Sequence, residues 1–135
     1  MSSGRLNIIA GGVAIVLAGL GGFALGFTMG PYFEKGFYAI PLGRVLLKAG
    51  HTHGLPIAFY NIIIGSLLDR LTLSDKWKKI CSIFTILSFI MPVGLLLRGI
   101  TDGAMTFAPV VLIGSLCFFI SALIMVKGAI SNQTA

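Results

Sequence analysis

Four apolar runs, each close to the length needed to cross a bilayer, make up most of this sequence. They are residues 7–29, 52–68, 80–97 and 105–126. A helix needs about 20 residues, rising about 1.5 Å each, to cross a hydrocarbon core of about 30 Å. The second run can be extended backward to residue 42, because residues 42–50 have an amphipathic pattern. Helices satisfy every backbone hydrogen bond within lipid. The runs therefore predict one all-α domain over residues 1–135, an integral membrane bundle of four transmembrane helices.

Composition agrees with a lipid environment. Charged residues make up only 10% of the chain, against about 25% in ordinary soluble domains. The net charge of +6 comes from basic residues that flank the apolar runs, where they would meet lipid headgroups. The expected partner of this charge is therefore the bilayer, and nucleic acid is not expected.

The distribution of basic residues predicts an orientation. One side of the membrane would hold six basic residues: Arg5, Arg70, Lys76, Lys78, Lys79 and Lys127. The other would hold four: Lys35, Arg44, Lys48 and Arg98. Since basic loops stay in the cytoplasm, both termini and the central loop are predicted to be cytoplasmic.

The first run carries small residues at intervals of four: Ala10, Ala14, Ala18, Gly22 and Gly26. Such residues let two helices approach closely in lipid. The partner can lie in the same chain or in a neighbouring one. Cys81 and Cys117 stand alone inside apolar runs, so they are predicted to be small buried hydrophobes without a metal or disulfide signature.

One cluster of residues can carry chemistry. Both histidines of the chain, His51 and His53, lie in a Gly-His-Thr-His-Gly sequence that Pro56 follows. Ionisable residues within membrane spans usually face the bundle interior and mark a functional site. Neutral imidazole is also the commonest metal ligand and can hold haem iron. The plainer alternative is an interfacial histidine that hydrogen-bonds to water.

The spacing of the two histidines limits what they can do together. Positions two apart on a helix point about 200° from each other. Either one histidine is the ligand, or the backbone around Gly50, Gly54 and Pro56 is not helical.

Other polar residues complete the candidate set. Arg44, Lys48 and Arg98 are predicted on the same side as His51 and can hold anionic groups such as haem propionates. Asn61 lies deeper in the second run. Its amide is expected either to hydrogen-bond between helices or, as a tentative catalytic residue, to contact substrate. No paired carboxylates occur within the apolar runs, so carboxylate acid–base catalysis is not expected.

The sequence resembles the styrene-oxide isomerase family, small four-helix membrane proteins that bind haem b between the protomers of a trimer. The similar stretch begins at Lys48-Ala49-Gly50-His51-Thr52 and continues through Leu73-Ser74-Asp75-Lys76 to Lys79 and Ser82. Aligned from Asp75, the family's axial histidine falls on His51, and His53 is additional. The family's asparagine falls on Ile57, with Asn61 one turn further, and its tyrosine in the third helix has no counterpart.

The resemblance implies a haem b site at His51, with His53 as a reserve ligand or hydrogen-bond donor, and a homo-oligomer, a trimer as in the family. It implies epoxide isomerisation on a hydrophobic small molecule less directly, so whether the protein is an enzyme stays open. Two alternatives remain: a non-catalytic membrane subunit, and a small transporter or metal-handling protein in which both histidines act together.

Overall fold

The computed structural model describes residues 3–33 and 40–131, with side chains described for 3–28 and 40–131. The helices are α1 (Ser3–Phe33), α2 (Leu42–Leu67), α3 (Asp75–Leu87), α4 (Ile90–Ile100) and α5 (Ala108–Ser131). Short 3-10 turns follow α2 at Leu68–Arg70 and precede α5 at Met105–Phe107. No strand occurs within the described ranges. The prediction of an all-α four-helix bundle is confirmed, with α3 and α4 together forming one helical segment.

The helices are longer than the apolar runs that predicted them. α1 continues to Phe33, so the first residues of the predicted loop are helical, while Glu34 and Lys35 lie outside the described residues. α2 begins at Leu42, as its amphipathic start predicted, and continues through Pro56 without interruption. α3 begins directly after its N-cap residue Ser74, whose side chain makes no capping hydrogen bond.

The third apolar run is divided by a turn at residues 88–89. Pro92 has no N–H group with which to bond the carbonyl of Ser88. That carbonyl instead accepts from Met91 at 3.1 Å, and Phe89 donates to Ile86 at 3.1 Å. The tighter pattern separates α3 from α4 while both stay in one continuous segment.

Three helical segments are long and apolar enough to cross a membrane: Ser3–Thr28, Asp75–Ile100 and Met105–Ser131. This agrees with a membrane protein. α2 is less apolar because Arg44, Lys48 and both histidines lie in its first half.

α2 is nevertheless the central helix, packing against α1, α3 and α4, while α5 packs against α3 and α4. A small apolar core of Ile64, Leu68, Cys81 and Ile124 joins α2, α3 and α5. Cys81 and Cys117 are both buried and free, which confirms their predicted role as small hydrophobes.

A buried polar network ties α1, α2 and α3 together. The Asn7 amide donates to Asn61 Oδ1 at 3.1 Å and to the Ser82 carbonyl at 3.2 Å. Ser82 Oγ donates in return to Asn7 Oδ1. Asn61 donates to the carbonyls of Ile57 and Thr85, at 3.0 and 3.1 Å. Since Asn7 and Asn61 are both fully buried, these bonds fix the register of three helices away from water.

Candidate functional site: two grooves on opposite faces of α2

The two histidines face different grooves because α2 is a regular helix where they lie. His51 lines a groove between α1 and α2, and His53 lines another between α2 and α5. The angle of about 200° expected for residues two apart accounts for this divergence. Of the two arrangements left open by the sequence, the helical one is therefore observed, and the two imidazoles do not meet at one point.

The groove at His51, here called the α1–α2 groove, has a volume of about 430 Å³. This lies in the usual range for small-molecule sites, about 300–1,000 Å³. Its walls are mostly apolar and include Ala14, Ala18, Leu25, Phe89, Pro92 and Leu96. Polar groups are few: His51, Thr28 and Arg44. An apolar body with one anionic end would match this lining.

Arg44 is held at the rim of the α1–α2 groove. Its Nη1 atom donates to Thr28 Oγ1 at 3.0 Å, and Thr28 in turn donates to the Ala24 carbonyl at 3.0 Å. This link between the start of α2 and the end of α1 orients the guanidinium. A planar, permanently charged group of this kind suits a carboxylate.

The imidazole of His51 lacks a hydrogen-bond partner. Its Nδ1 atom is buried, and no described residue bonds to it. The ring packs against Gly22 of α1, where a Cβ atom would lie 2.7 Å from His51 Cε1 and 3.1 Å from Nε2. A buried polar atom without a partner is uncommon in native proteins.

His51 also lines a shallower recess on the outer side of α1, with Gly19, Gly22, Phe23, Gly26 and Phe27. Phe23 and Phe27 are 72% and 84% exposed. The small residues spaced four apart in α1 are divided between these surfaces, because each interval of four residues rotates the side-chain position by about 40° around the helix. Ala14 and Ala18 line the α1–α2 groove, whereas no atom of another described element lies within 4 Å of where a Cβ atom of Gly26 would be.

The other cations predicted for this site lie elsewhere. Arg98 and Lys48 are not among the residues lining the α1–α2 groove. Arg98 donates to the Gly103 carbonyl at 3.3 Å and contacts Met105 Sδ, although its buried Nε atom has no partner among the described residues. Gly43, beside Arg44, packs against Gly99 and Asp102, so Arg44 and Arg98 do lie at the same end of the bundle.

Asn61 lies in the buried network and not in either groove. Its hydrogen bonds join it to Asn7, Ile57 and Thr85, which is the interhelical role that its depth favoured. Sequence reasoning missed its partner Asn7. A polar amide within the first apolar run was the available signal.

Among residues whose side chains are described, no three His, Cys, Asp or Glu groups come together in a way that could hold a metal ion. Haem iron can be held by one histidine. His51 and Arg44, both on the α1–α2 groove, are the residues that would hold the iron and a propionate of such a group.

Comparison of the chain with protein-family models, with curated proteins and with solved structures gives no match.

Proposed function

We propose that this protein is a haem-b-binding membrane protein in which His51 is the axial ligand. The observation that carries the proposal is the position of His51, whose imidazole lines a groove with mostly apolar walls and with Arg44 at its rim. Metal coordination by one imidazole nitrogen would stabilise this ring. Arg44 would bind a propionate, and the apolar walls would exclude water from the porphyrin faces.

The proposal includes a multi-pass topology in which α2 crosses the bilayer with the three more apolar segments. α2 has 26 residues, which gives a length of about 39 Å. Arg44 and both histidines line grooves, and Asn61 is buried between helices, which are the positions that polar residues usually take within membrane spans. The predicted cytoplasmic termini remain part of this proposal.

Assembly of several copies would complete the site. The recess beside Phe23 and Phe27 is open on the outer side of α1. A neighbouring protomer placed there would cover these exposed rings and enclose His51 from its second side. A trimer is the state implied by the family resemblance.

The resemblance also suggests a reaction. Haem, when bound, supplies a Lewis-acidic iron that can activate an oxygen-bearing hydrophobic substrate, and epoxide isomerisation is the family's chemistry. In this chain, the groove walls would orient such a substrate by apolar contact. No tyrosine occurs in α3 or α4, so orientation by a phenolic hydroxyl from that segment is not part of the proposal.

An absorbance spectrum tests haem binding. Protein purified from cells supplied with haem precursor should show a Soret band with one haem per His51 site. His51→Ala should lose the band, while His53→Ala, altered in the opposite groove, and Cys117→Ala should keep it. A colourless wild-type protein, or a band that only His53→Ala abolishes, would refute the assignment.

A second candidate is a non-catalytic membrane subunit that binds a larger partner through α1. The observation favouring it is that only 6% of the most apolar window of α1 is buried inside the chain, against 33% for Asp75–Ile100. This candidate predicts protein that stays colourless however much haem is supplied, and crosslinks from Gly19→Cys to a different membrane protein.

A further inference from the structure

A second groove, here called the α2–α5 groove, lies on the other side of α2 from His51. It has a volume of about 970 Å³. Its wall is rich in aromatic rings, contributed by Phe59, Tyr60, Phe118 and Phe119. The centroids of the Tyr60 and Phe118 rings are 4.9 Å apart. Flat aromatic molecules pack well against such surfaces.

His53 brings a defined acceptor to this groove. Its Nδ1 atom lies 2.8 Å from the carbonyl oxygen of Ala49. A carbonyl oxygen only accepts, so Nδ1 carries the proton in this hydrogen bond. In the neutral ring, Nε2 is then unprotonated and can only accept.

The hydroxyl groups in and beside the groove do not donate to Nε2 of His53, because each already donates its proton to another oxygen atom. Thr52 donates to Ala49 at 3.2 Å, and Ser115 donates to Val111 at 2.9 Å. Ser121 donates to the Phe118 carbonyl at 2.9 Å. The Tyr60 hydroxyl, 3.1 Å from Ser121 Oγ, must therefore be the donor in that pair.

Because His53 lies deep in α2, leaving its Nε2 atom without a hydrogen bond is energetically unfavourable. It lies about three turns into α2, and its side chain is exposed to the groove. Under the proposed topology this position is within the bilayer, where an unpaired polar group is strongly disfavoured. A donor from outside the chain would remove that cost.

We propose that the α2–α5 groove binds an apolar aromatic molecule carrying one hydroxyl group, whose proton is accepted by Nε2 of His53. The aromatic wall selects the ring system, and the single acceptor selects a hydroxyl over an ether or a ketone. The inference uses the proposed crossing of α2 but does not involve haem, so loss of the Soret band and loss of this binding are separate results.

Binding of 1-naphthol and 1-methoxynaphthalene, measured by calorimetry on wild-type protein in nanodiscs, tests the proposal. The two probes share the aromatic body, and only 1-naphthol has a proton to donate. 1-Naphthol should bind about fivefold to tenfold more tightly, the effect of one hydrogen bond. His53→Phe should remove this preference, whereas Ser66→Ala, which changes a hydroxyl of α2 outside the groove, should preserve it.

Nitrogen NMR of histidine-labelled protein gives an independent measurement. The His53 signals are identified by their absence in His53→Phe. They should show a protonated Nδ1 and an unprotonated Nε2, and 1-naphthol should shift the Nε2 signal. Equal affinity for the two probes, absence of binding, or a ring protonated at Nε2 without ligand would overturn the proposal.

Discussion

His51 of α2 packs its imidazole directly on Gly22 of α1, in a space that exists only because position 22 has no side chain. A Cβ atom there would lie 2.7 Å from Cε1 of the ring, well inside van der Waals contact. The glycine therefore sets the position of the proposed ligand from the opposite helix. This contact links the small residues of α1 to the chemistry of α2.

Replacement of Gly22 should affect haem binding before it affects folding. In Gly22→Val the imidazole must rotate away, which is cheap for a side chain but moves the ligand atom. We expect haem affinity to fall at least about tenfold, equivalent to about 1.4 kcal/mol, as measured by titration of the apoprotein with haemin. Gly12→Ala is the matched control, because a Cβ atom there would have no atom of another described element within 4 Å. Unchanged affinity in Gly22→Val would argue against His51 as the ligand.

The Asn7–Asn61 hydrogen bond predicts a coupled loss of stability. Asn61→Leu leaves the buried amide of Asn7 without one acceptor, and we expect the free energy of unfolding to fall by about 1–3 kcal/mol. Asn7→Leu should cost a similar amount, and the double variant should cost less than the sum. Unfolding in detergent measures all three proteins. Additive effects would show that the two amides do not interact.

Ser66→Ala is the control for that series. Ser66 is exposed and donates only to Ile62 within its own helix, at 2.9 Å. Its replacement should change stability by no more than about 0.5 kcal/mol.

The helices could be predicted from the sequence because hydropathy is a local property, whereas the contacts between them depend on register. The divergence of His51 and His53 followed from helix geometry alone. The pairing of Asn7 with Asn61 did not, because the rotation and offset of α1 against α2 are set by where glycines permit close approach. Gly4 meets Gly65, and Gly11 meets Ala58.

The candidate site was predicted less completely, for the same reason. His51 and Arg44 share a groove, as predicted. Whether Lys48 and Arg98 line the same groove depends on the direction in which each side chain leaves its helix, and the sequence does not give that direction. The turn between α3 and α4 was not predicted. Pro92 was the available signal, but its effect depended on which donor the carbonyl of Ser88 would find.

Gly114 should be the least replaceable glycine of the bundle. A Cβ atom there would overlap the backbone nitrogen of Met91, and backbone atoms cannot rotate away as a side chain can. Gly114→Ala should therefore separate α5 from α4 and lower stability by about 1–3 kcal/mol, as overpacking does. The melting temperature in detergent measures the change, with Gly12→Ala again as control. Wild-type stability in Gly114→Ala would contradict this close approach.

The crossing of the membrane by α3 and α4 can be tested from the two ends of that segment. Trp77 near its start lies under the ammonium of Lys127, 4.8 Å from the ring centroid, and both residues suit a headgroup region. The segment ends at Ile100. The background protein carries Cys81→Ala and Cys117→Ala, so that it has no native cysteine. In that background, Ser74→Cys and Thr101→Cys, each introduced alone, should react with a membrane-impermeant maleimide from opposite sides of the membrane. Labelling of Ser74→Cys only after the cytoplasmic face is opened would support the predicted orientation. Labelling of both positions from the same side would exclude a single crossing by Asp75–Ile100, and with it the multi-pass arrangement on which the depth of His53 depends.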